Sequence, residues 1–186
     1  ESERKMYYLT NNILRSNGYR KYEISNYSKP GKECKHNIGY WQRKEYLGFG
    51  IGAASLYKEN RYNNISDINK YIEVLTNNIK ENSINNVGNS SEVENQVNIL
   101  NSIVKNLQQL TERDRMEEFM FLGLRMMEGV SMEKFERYFG KPYMEVYGKV
   151  QKKMEDKRFL INDNGYVKLT EFGIDLSNYV MSEFLF

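Results

Sequence analysis

The chain is poor in the residues that hold small domains together covalently or through metal ions. Its 186 residues include one cysteine, Cys34, and one histidine, His36. A single cysteine excludes an internal disulfide, and it excludes any zinc or iron–sulfur site held by cysteines of this chain alone. Stability must therefore come from a packed core, for which the length and the 40% hydrophobic content are sufficient.

Long hydrophobic runs are also missing. No apolar run approaches the ~20 residues that a membrane-spanning helix needs. The opening residues, ESERKM, match no signal peptide and lack an initiator methionine, so the chain is expected to begin partway through a longer protein. Together with the single cysteine, these absences predict a reducing, cytoplasmic setting.

Charge is unevenly spread, although the formal net charge is only +2. Residues 1–75 carry 13 basic and 8 acidic side chains, whereas residues 111–186 carry 12 basic and 14 acidic ones. The basic N-terminal part favours an anionic ligand or partner there. A solvated basic surface is the alternative interpretation.

The scarce residue types gather in one stretch, Tyr22–Ser55, with the sequence YEISNYSKPGKECKHNIGYWQRKEYLGFGIGAAS. The segment Tyr19–Ser25, rich in aromatic and branched residues, is predicted to be a strand. A polar loop with the only histidine follows, and then Tyr40 and Trp41, the only tryptophan. This stretch is the best candidate for a functional site.

Three glycines at alternate positions follow in the run LGFGIGA: Gly48, Gly50 and Gly52. On a strand, the period of two would place all three on one face and leave that face bare. A bare face admits either a ligand or another backbone. The segment is therefore one wall of a binding site or a tight packing contact. It is not the dinucleotide-binding fingerprint, because no G-x-G-x-x-G leads into a helix.

The rest of the N-terminal part is predicted to alternate helices with strands. Residues 2–17 and a segment capped by Ser66 read as amphipathic helices, and residues 54–57 and 61–64 as a hairpin. Residues 83–110 are rich in asparagine and are predicted to be a linker that contains an amphipathic helix.

The clearest secondary-structure signals lie in residues 111–186. Thr111 and Asp114 form a capping box for a helix that continues to Met127 and stops at Gly129. Further elements follow in order: a helix capped by Ser131, a helix entered through Pro142, a hairpin at 159–169 with an Asn-Gly turn, and a helix capped by Thr170. This order is typical of a winged-helix-like domain.

The expected fold class is α+β, in three parts. Residues 1–82 form an α/β part, residues 83–110 the linker, and residues 111–186 the mostly helical C-terminal domain.

Five blocks resemble one protein family: YEISNY, HNIGYW, EYLGFGIGA, EEFMFLGLRMMEGV and LTEFGIDL. They resemble, in the same order, the C-terminal half of oxygen-independent coproporphyrinogen III oxidase-like proteins, which belong to the radical S-adenosylmethionine (SAM) family. The resemblance implies that residues 1–82 are the last elements of a partial radical-SAM (β/α) barrel. It also implies that a mostly helical, winged-helix-like domain follows.

Residues 36–41, HNIGYW, resemble the H-N-x-x-Y-W motif of the heme-chaperone branch of that family. The resemblance implies heme as ligand, with His36 as axial ligand of the iron and with Tyr40 and Trp41 as flat surfaces for the porphyrin. It also implies delivery of heme to a respiratory acceptor protein. From the residues alone, a single histidine in a polar loop is more often a solvated surface residue, and the motif match is what favours heme. Cys34 is read as a plain loop cysteine, with a second iron ligand and a redox-sensitive thiol as the alternatives.

Two departures from the family pattern limit what this chain can do. The C-x-x-x-C-x-x-C motif, which binds a [4Fe–4S] cluster in the family, is absent, so the chain alone is expected to be inactive as a radical-SAM oxidoreductase. Relatives commonly carry Gly-Ala-His-Ser where residues 52–55 are Gly-Ala-Ala-Ser, so the role of that histidine is lost at Ala54. In a complete family member, Gly48, Gly50 and Gly52 would form the wall against which SAM lies.

Two other functions stay open at this point. One is a true coproporphyrinogen III oxidase, which would use SAM and the cluster to decarboxylate two propionates of coproporphyrinogen oxidatively. The other is a winged-helix module that binds DNA or a partner protein. The negative balance of residues 111–186 argues against nucleic acid, because such binding depends on neutralising phosphates. Glu23, on the predicted strand, is a further polar candidate that would point into the barrel.

Overall fold

A computed structural model describes residues 2–84 and 102–186. The chain divides into two compact units. The first unit comprises Glu1–Lys44 together with Thr111–Phe186, and the second unit comprises Glu45–Leu110.

The division predicted from the sequence, with boundaries after residues 82 and 110, remains a prediction. The predicted boundary after residue 110 coincides with the end of the second unit. All strand pairings in the described parts of the chain are antiparallel. The structure is thus a mixed α and β fold.

The N-terminal part of the first unit consists of helix α1 (Ser2–Ser16), the paired strands β1 (Arg20–Lys21) and β2 (Tyr27–Ser28), and helix α2 (Lys35–Trp41). Helix α1 lies where the sequence predicts it. The chain leaves it through Gly18, whose φ of +80° is the left-handed conformation that commonly ends a helix.

The predicted strand Tyr19–Ser25 is wrong beyond Lys21, because the chain turns back there. The amide N–H of Tyr22 donates to the carbonyl oxygen of Asn26 over 3.2 Å. The carboxylate of Glu23 accepts hydrogen bonds from the Ser25 amide and the Asn26 side chain, at 2.8 and 2.6 Å. A side chain that satisfies nearby donors competes with an extended ladder, so the turn replaces the strand.

The second unit contains a three-stranded antiparallel sheet and one long helix: β3 (Ala54–Tyr57), β4 (Asn60–Asn64), α3 (Ile68–Ile84) and β5 (Val104–Gln109), with the sheet order β3-β4-β5. The predicted hairpin is confirmed as β3 and β4. The cap of α3 is Asp67, which accepts from the amides of Asn69 and Lys70, and not the predicted Ser66 one residue earlier.

Two predictions in the second unit are wrong. Residues 47–53 form a loop and not a strand, since Gly50 and Gly52 have φ of +94° and +67°, which no strand accommodates. The amphipathic helix expected within 83–110 cannot extend over Val104–Gln109, because that segment pairs with β4 as a strand. Its remaining positions, up to residue 101, lie outside the described residues.

The C-terminal part of the first unit is built from these elements in order: α4 (Glu112–Gly123), β6 (Val130–Ser131), α5 (Met132–Phe139), α6 (Tyr143–Asp156), β7 (Leu160–Asp163), β8 (Tyr166–Leu169), α7 (Glu171–Asp175) and α8 (Ser177–Ser182). The three strands form an antiparallel sheet in the order β6-β8-β7. The predicted hairpin is confirmed, with its turn at Asn164 and Gly165, whose φ angles are +52° and +82°.

The predicted caps are confirmed, whereas two helix ends differ. Thr111 and Asp114 form both hydrogen bonds of a capping box. Helix α4 ends at Gly123 and not at Met127, because the amides of Arg125 and Met126 bond three residues back in a tight turn. The last predicted helix is broken at Leu176 into α7 and α8.

The core of the first unit packs α4, α5 and α6 against the sheet and α8. Its buried centre is aromatic: Phe135 lies 4.7–5.7 Å, centroid to centroid, from the rings of Phe119, Phe139, Tyr143 and Tyr147. Burial raises the pKa of the Tyr143 and Tyr147 hydroxyls well above its ordinary value.

Candidate functional site

Helix α2 places His36 at the surface. The helix is seven residues long and begins after Cys34, whose carbonyl accepts from the Ile38 amide at 3.0 Å. Both Cys34 and His36 are exposed. The segment that the sequence presents as a polar loop is therefore an ordered helical turn, which fixes the direction of the imidazole relative to the first unit.

Tyr40 packs against His36 because the two residues are four apart on one helix. Their ring centroids are 4.7 Å apart with an interplanar angle of 80°, an edge-to-face contact. Gly39 lies on the same face between them and leaves it without a side chain. The result is an exposed imidazole, supported from one side by an aromatic ring, next to a glycine beside which the Cδ of Lys44 lies.

Trp41 points in a different direction, since one residue of a helix corresponds to a rotation of about 100°. The guanidinium carbon of Arg125 lies 4.4 Å from the centroid of the Trp41 ring, a cation–π contact. The indole Nε1 is buried and has no hydrogen-bond partner in the described parts of the chain. The predicted aromatic pair is thus divided: Tyr40 contacts the histidine, and Trp41 packs inward.

A buried carboxylate fixes Arg125. Glu23 has no exposed surface, and its Oε2 lies 3.5 Å from a terminal nitrogen of Arg125. The backbone adds to this link, because the amide of Ile24 donates to the carbonyl of Arg125 at 3.0 Å. The turn at Glu23, the turn after α4 and the end of α2 are therefore joined through Arg125.

A second ion pair holds the end of α2. The Nε of Arg43 donates to Glu118 on α4 at 2.8 Å, and the two side chains are 5% and 12% exposed. Arg43 also donates to the Tyr138 hydroxyl at 3.3 Å. Its φ of +57° shows that the chain bends sharply after the helix. These contacts hold α2 against α4 and α5.

A cavity of about 250 Å³ lies beside Trp41, within the first unit. Its lining combines apolar side chains with ionic groups: Trp41, Gln42, Arg43, Lys44, Phe119, Gly123, Met126, Glu128, Gly129, Val130, Ser131, Lys134 and Tyr166. The volume is below the roughly 300–1,000 Å³ typical of pockets for drug-sized ligands. It therefore accommodates a substituent and not a whole porphyrin.

A wider cavity of about 810 Å³ lies between α1, β1 and α7. Tyr7, Arg15 and Lys21 line one side, and Asp175 lines the other, where it accepts from Tyr8 at 2.7 Å. Burial and the nearby Asp175 carboxylate raise the pKa of the Tyr7 phenol. The lining of this groove carries three basic side chains and two acidic ones.

The glycines that the sequence marks as a wall lie in the second unit. A Cβ on Gly48 would stand 2.2 Å from the carbonyl oxygen of Ala54, so this glycine is required by packing within its own unit. Gly50 and Gly52 have open space at the Cβ position and need glycine for their positive φ instead. The packing interpretation accounts for Gly48, and a role for the three glycines in SAM binding stays a prediction.

Sequence reasoning missed the residues that position α2. Glu23 was a candidate, with the expectation that it points into a barrel; it is buried in its own turn and paired with Arg125. Nothing in the sequence pattern marks Arg125 or Arg43, because both partners are distant along the chain. The one available signal was a glutamate between an aromatic and a branched residue in the block YEISNY.

Comparison with known proteins shows the family. The model described as HemN C-terminal domain matches residues 110–176. Similar curated proteins include the heme chaperone HemW of Lactococcus lactis subsp. lactis, 35% identical over 180 residues, and that of Bacillus subtilis, 30% identical over 185 residues. These alignments cover 97% and 100% of this chain but 41% and 43% of the relatives. The chain thus spans about two fifths of their length.

The fold is similar to a solved structure of coproporphyrinogen III oxidase (HemN) from Escherichia coli, a radical SAM enzyme. The TM-score is 0.63 at 13% identity, over 95% of this chain and 39% of that chain. At this identity the likeness shows the fold alone.

The chain belongs to the HemN/HemW-like proteins and corresponds to their C-terminal region. The resemblance noted in the sequence is confirmed. Among the helices of the described residues, none combines the length and apolar character needed to cross a membrane.

Proposed function

We propose that this chain is the heme-binding part of a heme chaperone, with heme as its cargo and His36 as the axial ligand of the iron. The observation that carries the proposal is the exposed imidazole on an ordered helix, in edge-to-face contact with Tyr40. The names of the two relatives that align with the whole chain support it.

The residues present fit heme. Neutral imidazole is a common axial ligand of heme iron, and His36 is exposed enough for a large planar ligand to approach it. A cavity opens beside Trp41, five residues after His36. In this proposal the chain binds and orients the heme, and His36 occupies one axial position of the iron.

The residues present do not fit a [4Fe–4S] cluster. The chain has one cysteine, and a cluster needs several thiolates. SAM and the cluster are therefore assigned only to a complete family member, and no step of this proposal uses them. The oxidase alternative has weaker support, because the likeness to HemN concerns the fold.

Three finer points belong to the same proposal. The order α4, α5, α6 and the hairpin β7–β8 supports a winged-helix-like arrangement in residues 111–186. The assignment of residues 1–82 to the end of a radical-SAM barrel has only the likeness to HemN as support. A cytoplasmic location and a respiratory acceptor for the heme come from the family resemblance alone.

Replacing His36 tests the proposal. We expect His36→Ala to lower the affinity for ferric heme at least tenfold and to change the Soret band, because the axial nitrogen is lost. The measurement is a heme titration of the chain followed by absorbance. Cys34→Ala is the matched control, since Cys34 is also exposed and lies two residues away.

The result decides between the two candidate ligands. Unchanged affinity and spectrum in His36→Ala would contradict the proposal. A larger effect of Cys34→Ala would assign the iron to the thiolate. Failure of the unaltered chain to bind heme would reject heme binding by this region altogether.

Gly39 gives a second, smaller prediction. We expect Gly39→Ala to stabilise the first unit by about 0.5–1 kcal/mol, because alanine favours the helix. The new Cβ would meet only the Cδ of Lys44, at 3.8 Å. Chemical denaturation followed by Trp41 fluorescence measures this. A destabilised variant would show that the α2 backbone does not keep its helical geometry.

A further inference from the structure

The cavity beside Trp41 has a cationic rim that the proposed function does not use. We propose that Lys44 and Lys134 bind a carboxylate at the edge of the tetrapyrrole whose iron His36 holds, with the neighbouring substituent in the cavity. This inference rests on the proposed function. It adds the position of the anionic edge of the ligand.

Lys44 connects the histidine face of α2 with the cavity. Its amide donates to the Gly39 carbonyl at 2.9 Å, and its Cδ lies 3.8 Å from the position of a Gly39 Cβ. Gly39 is three residues after His36, on the same face of the helix. The aliphatic part of Lys44 therefore lies on the histidine face, and the same residue lines the cavity.

Two lysines and one glutamate, Glu128, are the exposed ionic groups among the residues that line the cavity. The fourth ionic group, Arg43, is committed to Glu118. The exposed groups give the rim one net positive charge, which suits a carboxylate. Both lysines are exposed to solvent. An ion pair between an exposed lysine and a carboxylate contributes little free energy, but it still favours an anionic ligand over a cationic one.

The interior of the cavity suits an apolar substituent. The side chains of Phe119, Met126 and Val130 line it. A volume of about 250 Å³ admits one edge of a tetrapyrrole and excludes the whole ring. The arrangement selects a large planar ligand that carries an acid at its rim.

The test compares ferric heme with its dimethyl ester, in which both propionates are neutral. The chain, the double variant Lys44→Met/Lys134→Met and a control, Lys149→Met/Lys152→Met, are titrated with each ligand. The control lysines are exposed on α6 and do not line the cavity. We expect the affinity of the first double variant for heme to fall on the order of tenfold, because two exposed ion pairs are removed. Its affinity for the dimethyl ester should equal the affinity of the unaltered chain for the same ester.

Each other outcome overturns the inference. Equal losses for heme and ester would assign the lysines a structural role. No loss for heme, or the same loss in the α6 control, would show that the rim does not bind the carboxylate. If the unaltered chain binds neither ligand, the proposed function fails first, and that failure is visible without any variant.

Discussion

Replacing Phe135 with alanine should lower the free energy of unfolding of the first unit by about 3–5 kcal/mol. Phe135 is fully buried, and its ring contacts four other aromatic rings from α4, α5 and α6. The loss combines the transfer of a large apolar side chain with the cavity that it leaves. The surrounding rings cannot close that cavity, because they come from three different helices.

Urea denaturation followed by tryptophan fluorescence measures this effect, since Trp41 is the single tryptophan and lies in the first unit. Phe172→Ala is the matched control. That ring stacks on Phe159 at 5.1 Å but is 51% exposed, so its removal should cost much less. If Phe135→Ala prevents folding, Phe135→Leu gives a measurable intermediate loss. Equal effects of the Phe135 and Phe172 variants would contradict the core described above.

The C-terminal fold could be predicted largely from local signals. Thr111, Ser131 and Thr170 are short polar residues placed just before apolar periodic segments, and each accepts an amide hydrogen bond at a helix start. The Asn164-Gly165 turn likewise follows from its own sequence. Such signals depend on neighbours within four residues, and in residues 111–186 the tertiary contacts agree with them.

Predictions failed where long-range contacts or backbone conformation decide the structure. The period-two glycines resemble a strand, but Gly50 and Gly52 adopt positive φ and form a loop. The apolar positions near Val104 fit a helical period, yet pairing with β4 makes the segment a strand. A six-residue segment is short enough for either period to fit, and pairing over a long sequence distance selects one.

In the candidate site, too, the local contacts could be predicted from the sequence and the long-range contacts could not. His36 and Tyr40 are four positions apart, which places them on one face of a helix, and their rings are in contact. Trp41 was grouped with them because it is adjacent in sequence. Its environment depends on Arg125, 84 positions further along the chain, which no local pattern identifies.

Replacing Glu23 with alanine should destabilise the first unit by roughly 3 kcal/mol and alter the environment of Trp41. Glu23 is completely buried and accepts hydrogen bonds from Ser25 and Asn26. Its removal leaves these donors and the Arg125 guanidinium without their acceptor. Arg125 packs on the Trp41 ring at the end of α2, so native-state fluorescence should shift as well as the denaturation midpoint.

A second glutamate–arginine pair provides the control for this prediction. Glu133 pairs with Arg137 one turn later on α5, and both side chains are more than 70% exposed. Water solvates either partner when the other is removed, so Glu133→Ala should leave the denaturation midpoint and the fluorescence unchanged. If Glu23→Ala were equally neutral, the buried pair would not position Trp41. If only stability changed, the pair would hold the turn without setting the orientation of α2, and heme binding through His36 would be independent of it.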